Sequence, residues 1–78
     1  MRWEDYIVSD RDVLLGKPVI RGTRISIELL LELLESGWSE ESILDSYPSL
    51  SQVHLQAVFA YLRQCIQNEL FFSLPKSA

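Results

Sequence analysis

Lys17, Arg21 and Arg24 fall within eight consecutive residues, in the run Gly16-Lys17-Pro18-Val19-Ile20-Arg21-Gly22-Thr23-Arg24-Ile25. Ammonium and guanidinium groups grouped on a turn can hold phosphate oxygens, Lys as a point charge and Arg as a bidentate fork. The same groups can also serve solubility and pair locally with Asp10, Asp12 or Glu28. A phosphate cradle of the NTPase kind is excluded, because the glycines are wrongly spaced and no Lys-Ser or Lys-Thr pair opens the next helix. A second polar set, Gln52, Gln56 and Arg63, lies further on. Glutamine can pair bidentately with adenine in the major groove. The alternative is an uncharged stripe facing solvent.

The remaining chemistry-bearing side chains point away from catalysis. One His and one Cys, His54 and Cys65, make a structural zinc site within a single chain very improbable. Both fall on the apolar arc of a helix, which reads as a half-buried packing histidine and a buried, inert thiol. No nucleophile stands with a polar partner to form a catalytic constellation. No cofactor, metal or small-molecule substrate is expected.

The chain has 78 residues, 47% of them hydrophobic, and a formal net charge of −4. That length makes one domain of marginal independent stability. The apolar surplus suggests a partner chain or a second copy. The net charge argues against a nucleic-acid binder, since duplex binding leans on Lys and Arg. The distribution softens this: residues 1–25 carry five basic and four acidic groups, whereas residues 26–78 carry two and seven. A lone thiol, a polar N-terminal stretch and the lack of an apolar run of ~20 residues imply a cytoplasmic protein with no membrane partner.

These residues need elements to hold them. Tyr6-Ile7-Val8 is aromatic and β-branched and reads as a short strand. Ser9 to Asp12 reads as a turn, and Val13-Leu14-Leu15 as a second extended piece. Pro18 starts a strand or lies on an edge, Gly22 supplies a tight turn, and Arg24-Ile25 is extended again. Ser26 caps a first helix from Ile27 to about Ser36, stopped by Gly37. Its Glu28, Glu32 and Glu35 form one acidic stripe. That stripe is either a solvated face or a surface for a basic partner. Ser39 caps a short second helix that ends at Tyr47-Pro48. Ser51 caps a third, from Gln52 to about Glu69, with Gln52, Gln56, Arg63 and Gln67 within about 60° of one another around its axis. No acidic residue stands between Ser46 and Asn68. Short helix, tight turn, longer helix is the helix-turn-helix order.

The run Leu15-Gly16-Lys17-Pro18-Val19-Ile20-Arg21-Gly22-Thr23-Arg24-Ile25 resembles the signature of domain-of-unknown-function family 433. These are small bacterial and archaeal proteins regarded as antitoxin-like. Ser36-Gly37 after a leucine-rich helix, Tyr47-Pro48 and Ser51 fall in the matching order, so the resemblance covers roughly residues 6 to 68. It implies a helix-turn-helix-like domain preceded by short strands, often encoded beside a PIN-like ribonuclease toxin.

The expectation is therefore a mainly α domain, with three helices in a helix-turn-helix (winged-helix or homeodomain-like) arrangement after short N-terminal strands. Residues 1–25 would form the lead-in, 26–70 the helical core and 71–78 a tail. The expected role is a non-catalytic antitoxin that binds a PIN-like toxin and represses its own operon. Lys17, Arg21, Arg24, Gln52, Gln56 and Arg63 would meet operator DNA. The alternative is a dimeric protein-interaction module that does not bind DNA. The apolar arcs of the first and third helices, about 200° on the first, exceed what one core needs. They imply a homodimer or heterocomplex using Trp3, Tyr6, Leu29, Leu33, Leu55, Phe59, Leu62, Phe71 and Phe72.

Overall fold

The computed structural model describes residues 1–68. Glu69, Phe71 and Phe72, to which the sequence reading assigned a helix end and a partner surface, lie outside the described residues. The chain runs from a 3-10 turn at Trp3–Asp5 into strand β1 (Ile7–Val8), a second 3-10 turn at Leu14–Gly16 and strand β2 (Val19–Ile20). Three helices follow: α1 (Ile27–Glu35), α2 (Glu40–Ser46) and α3 (Gln52–Gln67). The fold is mainly helical, with a two-stranded antiparallel sheet at its N-terminal side.

Each helix begins where its cap is. The Ser26 hydroxyl accepts from Leu29 N–H at 3.0 Å, and Ser39 does the same for Ser42 at 3.1 Å. Gly37, at φ +96°, ends α1. Its N–H donates to Leu34 O at 3.1 Å and Trp38 N–H donates to Leu33 O at 3.0 Å, the paired bonds of a Schellman motif. At α3 the backbone N–H of Ser51 donates to His54 Nδ1 at 2.9 Å. His54 thus takes the place that Glu or Gln fills in an ordinary capping box.

β2 is the hub of the lead-in. Ile20 pairs with Ile7 and Val19 with Val8 on one side, and a bridge joins Val19 to Ser26 on the other. Ile20 N–H donates to Ile25 O at 2.9 Å, and Ile27 N–H donates to Pro18 O at 3.0 Å. Pro18 therefore lends the ladder its carbonyl, the one backbone group it has to give. Between the two arms Gly22 turns at φ +79°, a left-handed value that a Cβ would oppose.

The core gathers Ile7 and Ile20 from the sheet, Ile27 and Leu30 from α1, Ile43 from α2, Leu50 from the turn, and Leu55, Ala57 and Val58 from α3. Removing each large aliphatic side chain of this set from water contributes about 1.5–3 kcal/mol. Leu55 is 1% exposed. This corrects its assignment to a partner surface: it is a core residue, out of reach of any second chain. Trp3 and Tyr6 are likewise claimed largely within the chain. The Trp3 ring meets Tyr61 edge-on at 4.9 Å, and Tyr6 meets His54 at 5.7 Å. Trp3 Nε1 also donates to Gln64 Oε1 at 3.0 Å, so the lead-in is tied to α3 by a directed bond.

The segment before β2 departs from expectation. Val13 is extended (φ −119°, ψ 113°), but Leu14 and Leu15 are not. Leu14 (φ +49°), Leu15 (φ +57°) and Gly16 (φ +84°) form a left-handed run. A left-handed backbone costs a residue with a Cβ roughly 1–2 kcal/mol. The run is held by Gly16 N–H to Val13 O at 3.1 Å, Lys17 N–H to Leu14 O at 3.2 Å, and the Ser9 hydroxyl donating to Gly16 O at 2.6 Å.

Candidate interaction surface

The basic turn is built by a relay of short bonds. The Thr23 hydroxyl donates to Ile20 O at 2.8 Å and accepts from Ile25 N–H at 3.0 Å, closing the loop around Gly22. Arg21 N–H donates to Tyr6 O at 2.8 Å, which aligns the Arg21 side chain with the Trp3–Asp5 turn. Its guanidinium then donates from Nε to Asp5 O at 3.0 Å and from Nη2 to Glu4 O at 3.3 Å. The 3-10 turn uses Arg2 O and Trp3 O for its own bonds, which leaves Glu4 O and Asp5 O at its end for Arg21 to cap.

Lys17 is also committed. Its ammonium sits 2.8 Å from Glu28 Oε1 on α1. The hydrogen bond, and after it the opposite charge, hold Lys17 above and Glu28 below their ordinary values. Of the three basic groups of the turn, only Arg24 makes neither an ion pair nor a side-chain hydrogen bond among the described residues. Arg24 borders a hollow of about 470 Å³ with Asp10, Val13, Gly22 and Thr23, to which α3 contributes nothing.

On α3 the polar stripe is open. Gln52, Gln56, Arg63 and Gln67 are all exposed. Beside them stand two apolar side chains, Phe59 at 48% exposure and Ile66 at 62%. The outer face of α3 is thus a band of neutral amides with one guanidinium and an apolar flank. The sequence-assigned contact residues form two groups: a turn whose cations are mostly engaged, and a helix face whose polar groups are not.

The remaining assigned residues divide further. Leu29, Leu33 and Leu62 are half-buried, and Leu33 and Leu62 lean on the core cluster. His54 is half-buried and packed on Tyr6, and its Nδ1 faces both the Ser51 backbone N–H at 2.9 Å and the Ser51 hydroxyl at 3.2 Å. Cys65 is half-buried rather than buried. It lines a hollow with Trp3, Tyr61, Gln64 and Asn68. Burial, and after it the neighbouring Cys65 thiol, push the Tyr61 hydroxyl above its ordinary value. The acidic stripe, Glu28, Glu32 and Glu35, is exposed and lines a shallow hollow of about 540 Å³ with Leu31.

Sequence reasoning missed three features. The Trp3–Gln64 bond joins residues too far apart for any local pattern to link. The capping role of His54 was legible, since it stands three residues after Ser51. The left-handed run at Leu14 and Leu15 had no signal, because neither residue favours that region. Among the described residues no group of three or more His, Cys, Asp or Glu could hold a metal ion. No helix among them is long and apolar enough to cross a membrane.

A small helical domain with a short antiparallel sheet, centred on a Gly22 turn, defines the class. The chain belongs to the family described as "Protein of unknown function (DUF433)", whose model matches residues 7–62. Among curated relatives it is 33% identical over 58 residues to "Uncharacterized protein y4eO" of Sinorhizobium fredii (strain NBRC 101917 / NGR234). That match takes in 72% of this chain and 26% of the relative, so the chain spans about a quarter of that protein's length. Among solved structures it resembles the crystal structure of a DUF433 member protein from Anabaena variabilis ATCC 29413, with a TM-score of 0.75 at 28% identity. That likeness covers 83% of this chain and 64% of the other.

Proposed function

We propose that this chain is a non-catalytic, antitoxin-like regulator that acts as a homodimer and contacts DNA through the outer face of α3. In this reading Gln52 and Gln56 meet base edges, and Arg63 and Arg24 meet phosphates. The observation that carries it is the open polar stripe of α3 in a stretch without acidic residues, although the chain's net charge is −4. A helix that repels phosphate would carry carboxylates like those of α1. The order of α2, the turn from Tyr47 to Ser51 and α3 supports the same reading. Inhibition of a PIN-like ribonuclease is proposed from family resemblance, and the acidic stripe of α1 has the charge to meet a basic nuclease.

The engagement of Lys17 and Arg21 narrows the DNA surface to Arg24 and the α3 stripe. It also favours a second reading, a dimeric interaction module that leaves DNA alone and uses the Phe59–Ile66 flank for protein contact. Titration against the DNA upstream of the protein's own gene, at two salt concentrations, separates the two. DNA contact predicts that Arg24→Ala and Arg63→Ala each reduce the salt slope by about 1. Wild-type binding no tighter than to unrelated DNA would hand the assignment to the interaction module. Capture of a PIN-like partner from the native host, resistant to nuclease treatment, tests the toxin half.

A further inference from the structure

The left-handed run before β2 carries a side chain that nothing among the described residues explains. Leu15 is 94% exposed at φ +57°. Among the described residues it takes no part in the core and gains little burial to repay its backbone. Asn or Gly would sit there without strain. A strained backbone that presents an apolar side chain to water is an outlier of the kind found at binding sites.

An apolar recess begins two residues along the chain from this knob. Lys17, Pro18, Ile27, Leu31, Tyr61 and Leu62 line an apolar groove of about 280 Å³. At its rim Lys17 and Glu28 face each other, both side chains more than half exposed. Knob and groove belong to the same stretch of chain, and the rim offers one charge of each sign. A surface that holds both a projection and its socket, and both members of an ion pair, satisfies itself under two-fold rotation.

We infer that a second copy of this chain docks here, with Leu15 of each protomer seated in the groove of the other and Lys17 and Glu28 paired across the rim. This rests on the homodimer of the functional reading and gives it a surface. The pair that Lys17 makes with Glu28 of its own chain at 2.8 Å is exchanged on docking for the same pair between chains. The interface leaves the outer stripe of α3 uncovered, because none of Gln52, Gln56 or Arg63 lines the groove.

The test is sedimentation equilibrium of the full chain and of Leu15→Asn. Asn tolerates the left-handed backbone, so the variant should fold with equal or higher Tm when both proteins are compared at a concentration that leaves them monomeric, while its dimer dissociation constant rises at least tenfold. A dimer unchanged in Leu15→Asn overturns this interface and leaves the homodimer standing. A wild type that is monomeric at its working concentration overturns both the interface and the homodimer. A monomer in which deleting residues 69–78 perturbs the methyl signals of Leu31 and Leu62 gives the groove to the chain's own end, and also overturns it. Mixing supplies the second arm. Lys17→Glu and Glu28→Lys each place like charges on the rim, so each should dimerise weakly alone and form a heterodimer when combined. Failure of the mixture to associate better than either variant would remove the crossed ion pair.

Discussion

The turn around Gly22 and the outer stripe of α3 are both polar surfaces of one small domain, yet they use their polar groups in opposite ways. The turn is richer in charge and directs most of it inward. Arg21 closes the Trp3–Asp5 turn through two carbonyls, and Lys17 pairs with Glu28. α3 carries a single cation on its stripe, with neutral amides beside it, and leaves all of them facing out. Charge density in a sequence is thus a poor guide to which groups meet a partner. In the turn, short strands have few ladder bonds of their own, and side chains supply what the backbone lacks. A sixteen-residue helix satisfies its own backbone and leaves its outer side chains uncommitted.

The comparison breaks first, and by most, on α3 itself. Leu55→Ala should cost about 2–5 kcal/mol, enough to unfold much of a small domain, while Gln56→Ala next to it should stay within about 0.5 kcal/mol. Urea unfolding of the two variants measures the contrast. Equal losses would mean that the stripe is packed rather than open. Arg21→Ala should come next, at roughly 0.5–1.5 kcal/mol for its bonds to the two carbonyls. It should leave any DNA affinity unchanged. Reduced DNA binding with unchanged stability would reverse the assignment and return Arg21 to the contact surface.

A comparable effect is expected where the lead-in meets α3. His54→Ala removes the acceptor for Ser51 N–H and the ring beneath Tyr6, and should cost on the order of 1 kcal/mol. His54→Gln should recover the capping share, since Gln at this position reaches the same N–H. Hydrogen exchange at Ser51 reads this directly, and exchange unaltered in His54→Ala would show that the bond protects nothing. The smallest effect belongs to the Lys17–Glu28 pair. Lys17 is raised from 10.5, so its share of stability is present below the unfolded value and lost as pH rises through the folded one. Glu28 is lowered from 4.5, so its share is present above the unfolded value and lost as pH falls through the folded one. Lys17→Met should flatten both edges of the pH–stability curve and change little between them, because both groups are exposed. A drop in Tm at neutral pH as large as that of Arg21→Ala would contradict this.

Much of the fold was legible because it is locally encoded. Ser26, Ser39 and Ser51 mark the starts of the helices, Gly37 marks the end of α1, and Pro18 and Gly22 frame β2 and its turn. Each acts through bonds within a few residues. What failed was set by distant partners or by strain. The aliphatic character of Val13, Leu14 and Leu15 favours extension, and Val13 does extend, but at Leu14 and Leu15 the Ser9 bond to Gly16 O and the return into β2 go with a left-handed turn instead. Leu55 was assigned to a partner because angular position shows which residues share an arc, not how deeply the arc sinks. The candidate site was half legible. The α3 stripe follows from helical periodicity alone. The engagement of Arg21 depends on carbonyls that only the folded lead-in brings near.

The bond from Trp3 to Gln64 spans 61 positions of sequence. Its consequence concerns the order of events as the chain is made. Residues 3–6 leave the ribosome long before α3 exists, yet Tyr6 and Trp3 rest on His54, Tyr61 and Gln64. The segment made early is therefore fastened late, and until then two aromatic rings have nothing native to rest on. For this molecule the interval between the emergence of Trp3 from the ribosome and the emergence of Gln64 is a window in which Trp3 lacks its native cover.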